Sequence, residues 1–170
     1  MKTVEKSEQN IVVVDEEDKI IGHKPRDAVD REGLRYRVSA LWIKNSKGES
    51  LLARRAYSKS HDPGKWGPAV AGTVNEGESY EENIIKEAEE ELGLKQITVK
   101  KGPKTKTNEK HRHFTQWHTY KIDKPAEEFK IQKEEVAEVK WFSKKELETQ
   151  LKNNQEAFLK KMSKYVELFY

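Results

Sequence analysis

Residues 72–94, GTVNEGESYEENIIKEAEEELGL, constrain this chain more than any other stretch. A glycine opens it, Glu78 follows after five intervening residues, and the acidic run Lys86-Glu87-Ala88-Glu89-Glu90-Glu91 leads to Gly93-Leu94. Ile84, Ile85, Ala88 and Leu92 recur at helical spacing, which predicts an amphipathic helix over residues 79–92. Glu87, Glu90 and Glu91 stand at i, i+3 and i+4 on a different face, with Cβ atoms about 5–6 Å apart. Three carboxylates held that close repel one another unless a cation lies among them. Hard oxygen ligands suit Mg²⁺ or Mn²⁺, and Mg²⁺ commonly bridges a few carboxylates to substrate phosphates. A glutamate-rich helix is by default a solvated face. A merely solvated face would need neither a glycine at each end nor Glu78 in register.

A chain of 170 residues is long enough to bury a proper core, and the expected organisation is one domain over residues 1–170. Charged residues make up 37% and hydrophobic ones 34%, so that core is compact beneath a densely ionic surface. No apolar run approaches the ~20 residues of a membrane span, and residues 1–10 lack an apolar leader segment. Without cysteine there is no disulfide, thiolate catalysis or Cys-ligated zinc, and a cytoplasmic setting is the default. A net charge of +3, with acidic and basic residues intermixed, argues against nucleic acid as a partner.

Elsewhere the pattern is mostly that of strands. Residues 11–14 and 19–23 predict a hairpin across an acidic turn. Residues 24–33 are polar, with Pro25 as a breaker, and read as a loop. Residues 35–43 and 50–55 predict partner strands joined by turn chemistry at 45–48. Residues 56–68 are rich in turn formers and read as irregular, and 69–74 as a short strand into the helix. Residues 101–112 read as a basic loop, and residues 114–122 and 136–142 as strands. Ser143 with Glu146 three residues on suggests a capping box opening a C-terminal helix over about 143–169. Phe158, Met162, Tyr165, Val166 and Phe169 fall on one stripe of it, the mark of core packing. Strands around one central helix, plus a terminal helix, imply a mixed β-sheet between helical layers, an α/β/α sandwich. The early hairpin and the terminal helix are the surfaces through which a homodimer could form.

The 72–94 stretch resembles the Nudix box, G-x5-E-x7-R-E-U-x-E-E-x-G-U, where U is aliphatic. Gly72, Glu78, Glu87, Ala88, Glu90, Glu91, Gly93 and Leu94 match it, and Lys86 stands where the family has arginine. The fold implied by the resemblance is the Nudix fold, an α/β/α sandwich. Residues 51–72, LLARRAYSKSHDPGKWGPAVAG, are similar to the same region of the isopentenyl-diphosphate isomerase-like branch, and Trp42 fits that branch's preceding strand. Residues 135–147 resemble the last strand and helix start common across the family. The isomerase chemistry does not carry over. True isomerases place a cysteine and a metal-binding histidine, C-G-H, where this chain reads Ala71-Gly72-Thr73. Their earlier histidines fall near Val29 and Tyr36.

The resemblance therefore implies a hydrolase that cleaves the diphosphate linkage of a nucleoside diphosphate joined to another group. Its implied metal ligands are Glu87, Glu90 and Glu91, with the Gly72 carbonyl as a fourth and Mg²⁺ (Mn²⁺ as alternative) as the cofactor. Lys86 keeps the charge of the family arginine without its bidentate fork, which leaves open a module that binds a nucleotide or phosphate without turning it over. Arg54 and Arg55 are candidate phosphate contacts, though a regularly alternating strand would aim only one of them at a cleft. Trp66 and Trp117 are candidates for stacking on a base, with core packing as the alternative. His111, His113 and Glu134 or Glu135 are further candidates on loops, the last two as a base.

Overall fold

The computed structural model describes residues 9–170, so the leader reading of residues 1–10 falls almost entirely outside it. The predicted hairpin is present as β1 (Asn10–Val14) and β2 (Ile20–Pro25), antiparallel with a bulge at Val13/Val14. Asp15 Oδ1 accepts the N–H groups of Glu17 and Lys19 and so shapes the turn. Asp18 follows at φ 65°, a conformation that short polar side chains tolerate. Its carboxylate accepts from Arg37 Nε at 2.7 Å, Lys104 Nζ at 2.6 Å and the Tyr80 hydroxyl at 3.0 Å. Burial works against its ionisation, yet these donors prevail and hold its pKa below the ordinary value.

The loop expected over residues 24–33 is a helix, α1 (Arg26–Glu32). Pro25 precedes the first turn, where its fixed φ and missing N–H cost nothing, so it starts the helix and does not break it. Val29 anchors α1 in the core, and Gly33 at φ 63° ends it. Next come β3 (Tyr36–Lys44) and β4 (Ser50–Arg55), joined by the predicted turn, in which Asn45 Oδ1 accepts from the Lys47 and Glu49 N–H groups. The segment read as irregular contributes a strand, β5 (Trp66–Pro68), which pairs with β4. It is followed by β6 (Val70–Thr73) and the box helix α2 (Tyr80–Leu92).

Most of the expected basic loop is an eight-residue strand, β7 (Lys100–Thr107). Its only strand partner among the described residues is β8 (His113–Lys121), so it is an edge. Lysines and a proline are what protected sheet edges carry, and Pro103 falls in the bulge between Lys101 and Lys104. After β9 (Val136–Phe142) the expected single C-terminal helix is two, α3 (Lys144–Asn153) and α4 (Met162–Phe169). The break is set by tertiary bonding: the Leu159 N–H donates to the Trp66 carbonyl at 2.9 Å, and Phe158 bridges to Trp66 in extended conformation. Ser143 does cap α3, accepting from the Glu146 N–H at 3.1 Å. The reciprocal half of the capping box is absent, because Lys140 takes the Glu146 carboxylate.

The sheet has nine strands among the described residues and is mixed: β3 runs antiparallel to β6 and parallel to β8, while β4 pairs with β5 and β9. Alternation along β3 serves two cores. Leu41 and Ile43 pack with Ile84, Ala88 and Leu92 of α2, while Ala40 and Trp42 pack with Leu147, Met162 and Val166 of α3 and α4. This is the expected α/β/α sandwich. Each of these large side chains gains about 1.5–3 kcal/mol on burial, which fixes the rotation of α2 and with it the direction of its glutamates. No helix among the described residues is long and apolar enough to cross a membrane.

Candidate active site

Helix α2 begins at a complete capping box: Ser79 Oγ accepts from the Glu82 N–H at 3.1 Å, and Glu82 Oε2 accepts from the Ser79 N–H at 2.8 Å. It ends at Gly93, φ 68°. With Ile84, Ala88 and Leu92 buried beneath the sheet, Glu87, Glu90 and Glu91 turn to a cleft of about 870 Å³. Glu87 is 3% exposed and Glu91 8%, while Glu90 is open to solvent. Gly72, on β6, lies directly against Glu87: a Cβ built there would stand 2.5 Å from Glu87 Cγ. Only glycine lets strand and glutamate approach so closely.

Lys86 is bonded to Glu78 Oε1. Glu78 Oε2 accepts from Asn83 Nδ2 at 2.9 Å and the Asn75 N–H at 3.1 Å. Burial raises the cost of ionising Glu78, but Lys86 and the two further donors outweigh it and hold the carboxyl below its ordinary range. Lysine thus preserves the ion pair that an arginine would make from this position.

The cleft is also lined by basic residues. Arg54 and Arg55 both line the cleft, against the expectation from simple alternation. The register of β4 against β9 shifts between these two residues, and such an irregularity can turn consecutive side chains to one side. Each is steadied by a loop carbonyl: Arg54 Nε donates to Gly64 and Arg55 Nε to His61. Lys59 lies beside them, paired with Glu135 at 2.5 Å. Arg26 of α1 closes the rim, its guanidinium donating to Thr73 Oγ1 at 2.7 Å and resting over the Tyr36 ring.

Gly72, Lys86, Glu87, Glu90, Glu91, Arg54 and Arg55 therefore meet in one cleft. Trp66 does not join them. It points from β5 into the other core, 8% exposed and edge-on to Phe142 at 5.2 Å, and its neighbour Gly67 takes the cleft side. Trp117 is likewise core. The His113 ring pairs through Nδ1 with the His111 carbonyl at 2.8 Å, the His111 ring faces Asp30 at 3.5 Å, and neither lines the cleft, whereas Glu135 reaches the lining and Glu134 does not. Arg26, Lys59 and Gln132 are cleft residues that carried no sequence signal, because each comes from a different segment and only folding brings them together.

The donor chemistry fits a hard divalent cation. Carboxylates line the cleft without imidazole or thiolate, and the Gly72 backbone comes so close to Glu87 that a Cβ there would clash with it. Among the described residues, no three acidic or histidine side chains already converge as a finished cage. At the positions where the isomerases carry histidines, Val29 and Tyr36 are core residues.

A family model described as the NUDIX domain matches residues 33–164. An uncharacterized Nudix hydrolase of Pseudomonas aeruginosa is 38% identical over 90 residues, 53% of this chain and 53% of that protein. An isopentenyl-diphosphate Delta-isomerase of Serratia proteamaculans is 33% identical over 87 residues, 51% of this chain and 49% of that one. These alignments span about half the length of the curated relatives. Among solved structures, a Deinococcus radiodurans protein superposes with a TM-score of 0.81 at 24% identity, covering 95% of this chain and 99% of that one.

Proposed function

Because this chain belongs to the Nudix family, we propose that it is a Mg²⁺-dependent hydrolase of a nucleoside diphosphate linked to a second group, with Mn²⁺ able to replace Mg²⁺. The observation that carries this reading is one cleft lined both by the carboxylates Glu87, Glu90 and Glu91 and by the cations Arg54, Arg55 and Lys59. A diphosphate that met both a carboxylate-held cation and the guanidinium groups would use both sets of residues. The cation, when bound, would neutralise phosphate charge and lower the pKa of the attacking water.

The chain's own residues do the rest. Glu87, buried against the Gly72 backbone, and the buried Glu91 would hold the cation, with the Gly72 carbonyl as a further ligand. Glu90 is the exposed member of the trio, the one that a cleft water reaches. Arg54 and Arg55 orient the phosphates, since guanidinium forks match phosphate oxygens in pairs. Lys86 is held by Glu78 and acts by fixing the loop ahead of α2, so its assignment is to positioning and not to proton transfer. With that ion pair intact, the arginine-to-lysine departure gives little reason to prefer a module that binds without turnover. The chain is taken as one domain, and a cytoplasmic location rests on the cysteine-free sequence alone.

The test is phosphate release from nucleoside di- and triphosphates, nucleotide sugars, dinucleotides and prenyl diphosphates, with Mg²⁺ or Mn²⁺, beside a Glu90→Gln control. Metal-dependent turnover lost in the control is the expected result. Nucleotide binding without turnover anywhere on the panel would replace this reading with the binding module.

A further inference from the structure

A single ammonium cannot present the two parallel donors of a guanidinium fork, yet Glu78 is gripped at both oxygens. Lys86 takes Oε1, while Asn83 Nδ2 donates to Oε2 at 2.9 Å. Asn83 and Lys86 are three residues apart on α2, so their side chains emerge on one face and can address opposite oxygens of the same carboxylate. The same amide nitrogen also donates to the Thr73 carbonyl at 3.0 Å. Asn83 is fully buried next to Ile84 of the apolar stripe, where a polar amide is costly unless it is used. Its Oδ1 finds no hydrogen-bond partner, so the residue is kept for its donor end.

We infer that Asn83 and Lys86 together replace the arginine of the box, dividing one bidentate clamp on Glu78 between two side chains. Asn83 is a positioning residue. By holding the Thr73 carbonyl and Glu78 at once, it ties the end of β6 and the turn at residues 75–78 to α2. That tie sets the Gly72 backbone against Glu87, and so the spacing between the two parts of the proposed cation site. The functional consequence rests on the hydrolase reading above; the clamp itself rests on geometry.

The experiment compares wild type, Asn83→Ala and Asn83→Ala/Lys86→Arg, by turnover on the same substrate panel with Mg²⁺ and by thermal unfolding. Losing a donor to a charged acceptor should lower kcat by about tenfold or more while KM moves by less than about threefold. Arginine at position 86 supplies both donors itself, so the double variant should return to within about threefold of wild-type kcat. A residue that only filled space would not be rescued from position 86. Wild-type kcat in Asn83→Ala, or a double variant no better than the single one, overturns the inference. If wild type turns over nothing, the hydrolase reading falls, and the clamp is still decided by whether Lys86→Arg recovers the melting temperature lost in Asn83→Ala. Should Asn83→Ala fail to fold, a folded double variant supports the clamp and failure of both overturns it.

Discussion

Substituting Gly72 by alanine should separate activity from folding. Its backbone φ is outside the left-handed region, so alanine brings no conformational strain, and the whole effect is steric. The new methyl would stand 2.5 Å from Glu87 Cγ, 2.8 Å from Cδ and 3.0 Å from Oε1. Carbon atoms rest at about 3.5–4.0 Å, so the Glu87 side chain must retreat by about 1 Å. Any retreat takes it from its place at the edge of the cleft, and such overpacking typically costs about 1–3 kcal/mol. For a chain of this size that lowers the melting temperature by about 2–4 °C per kcal/mol. Turnover should suffer far more, since a 1 Å error in a positioned group costs about 10²-fold. The assay pairs kcat/KM under saturating Mg²⁺ with a thermal melt. Gly22→Ala serves as a control, because nothing lies within 4 Å of its added methyl. If Gly72→Ala keeps kcat/KM within about threefold of wild type, Glu87 does not owe its position to Gly72, and the strand–helix approach does not build the cation site.

Three further outcomes follow from the fold. Ser79→Ala removes the capping box of α2 and should cost about 1 kcal/mol in urea unfolding, with an unchanged slope. Trp66→Ala should destabilise by about 3–5 kcal/mol, as loss of a buried indole does; Trp66→Phe should recover most of that stability without a selective rise in KM, whereas a rise in KM alone would return Trp66 to the substrate. His113 and His118 both have pKa values pushed below 6.5, chiefly by burial. The unfolded chain therefore binds protons there more readily than the folded one, so stability is complete above about pH 6.5 and falls as pH drops through it. Urea midpoints at pH 7.5 and 5.5 measure this, and a flat or rising midpoint toward pH 5.5 would contradict it. The lowered carboxyls of Asp18 and Glu78 act in a separate, more acidic window, below their ordinary values of 3.8 and 4.5.

The box helix was legible because everything that fixes it is local: a stripe at helical period, acidic residues three and four apart, and glycine at each end. The central strands were legible from turn chemistry and alternation. α1 was not, because Pro25 means opposite things inside a helix and just before one, and only Val29 packs into the core to reveal the difference. β7 was missed because an edge strand defended by lysines and a proline has the composition of a loop. The break between α3 and α4 answers to a hydrogen bond from Leu159 to Trp66, across more than ninety residues of sequence. The acidic half of the cleft lies on one helix and could be read directly. Most of the basic half comes from α1, the end of β4 and the loop after it. Arg54 and Arg55 could be suspected from sequence, but their shared direction depends on the β4–β9 register shift.

The turn of chain at 158–159 also has a consequence for how this molecule tolerates editing. Leu159 sits in the cleft lining and presses on Gly67, where an added Cβ would come within 2.7 Å of its Cδ1. At Leu159 the tail is thus part of the wall of the candidate cleft, clipped onto β5, and not a spare flange behind it. A stop codon after residue 153 would remove that wall together with Phe158, Met162 and Val166 of the core beneath β3, so it should cost stability as well as the shape of the cleft. By the same logic, lengthening or reshaping the α3–α4 joint is a way to change what the cleft admits without touching a single glutamate.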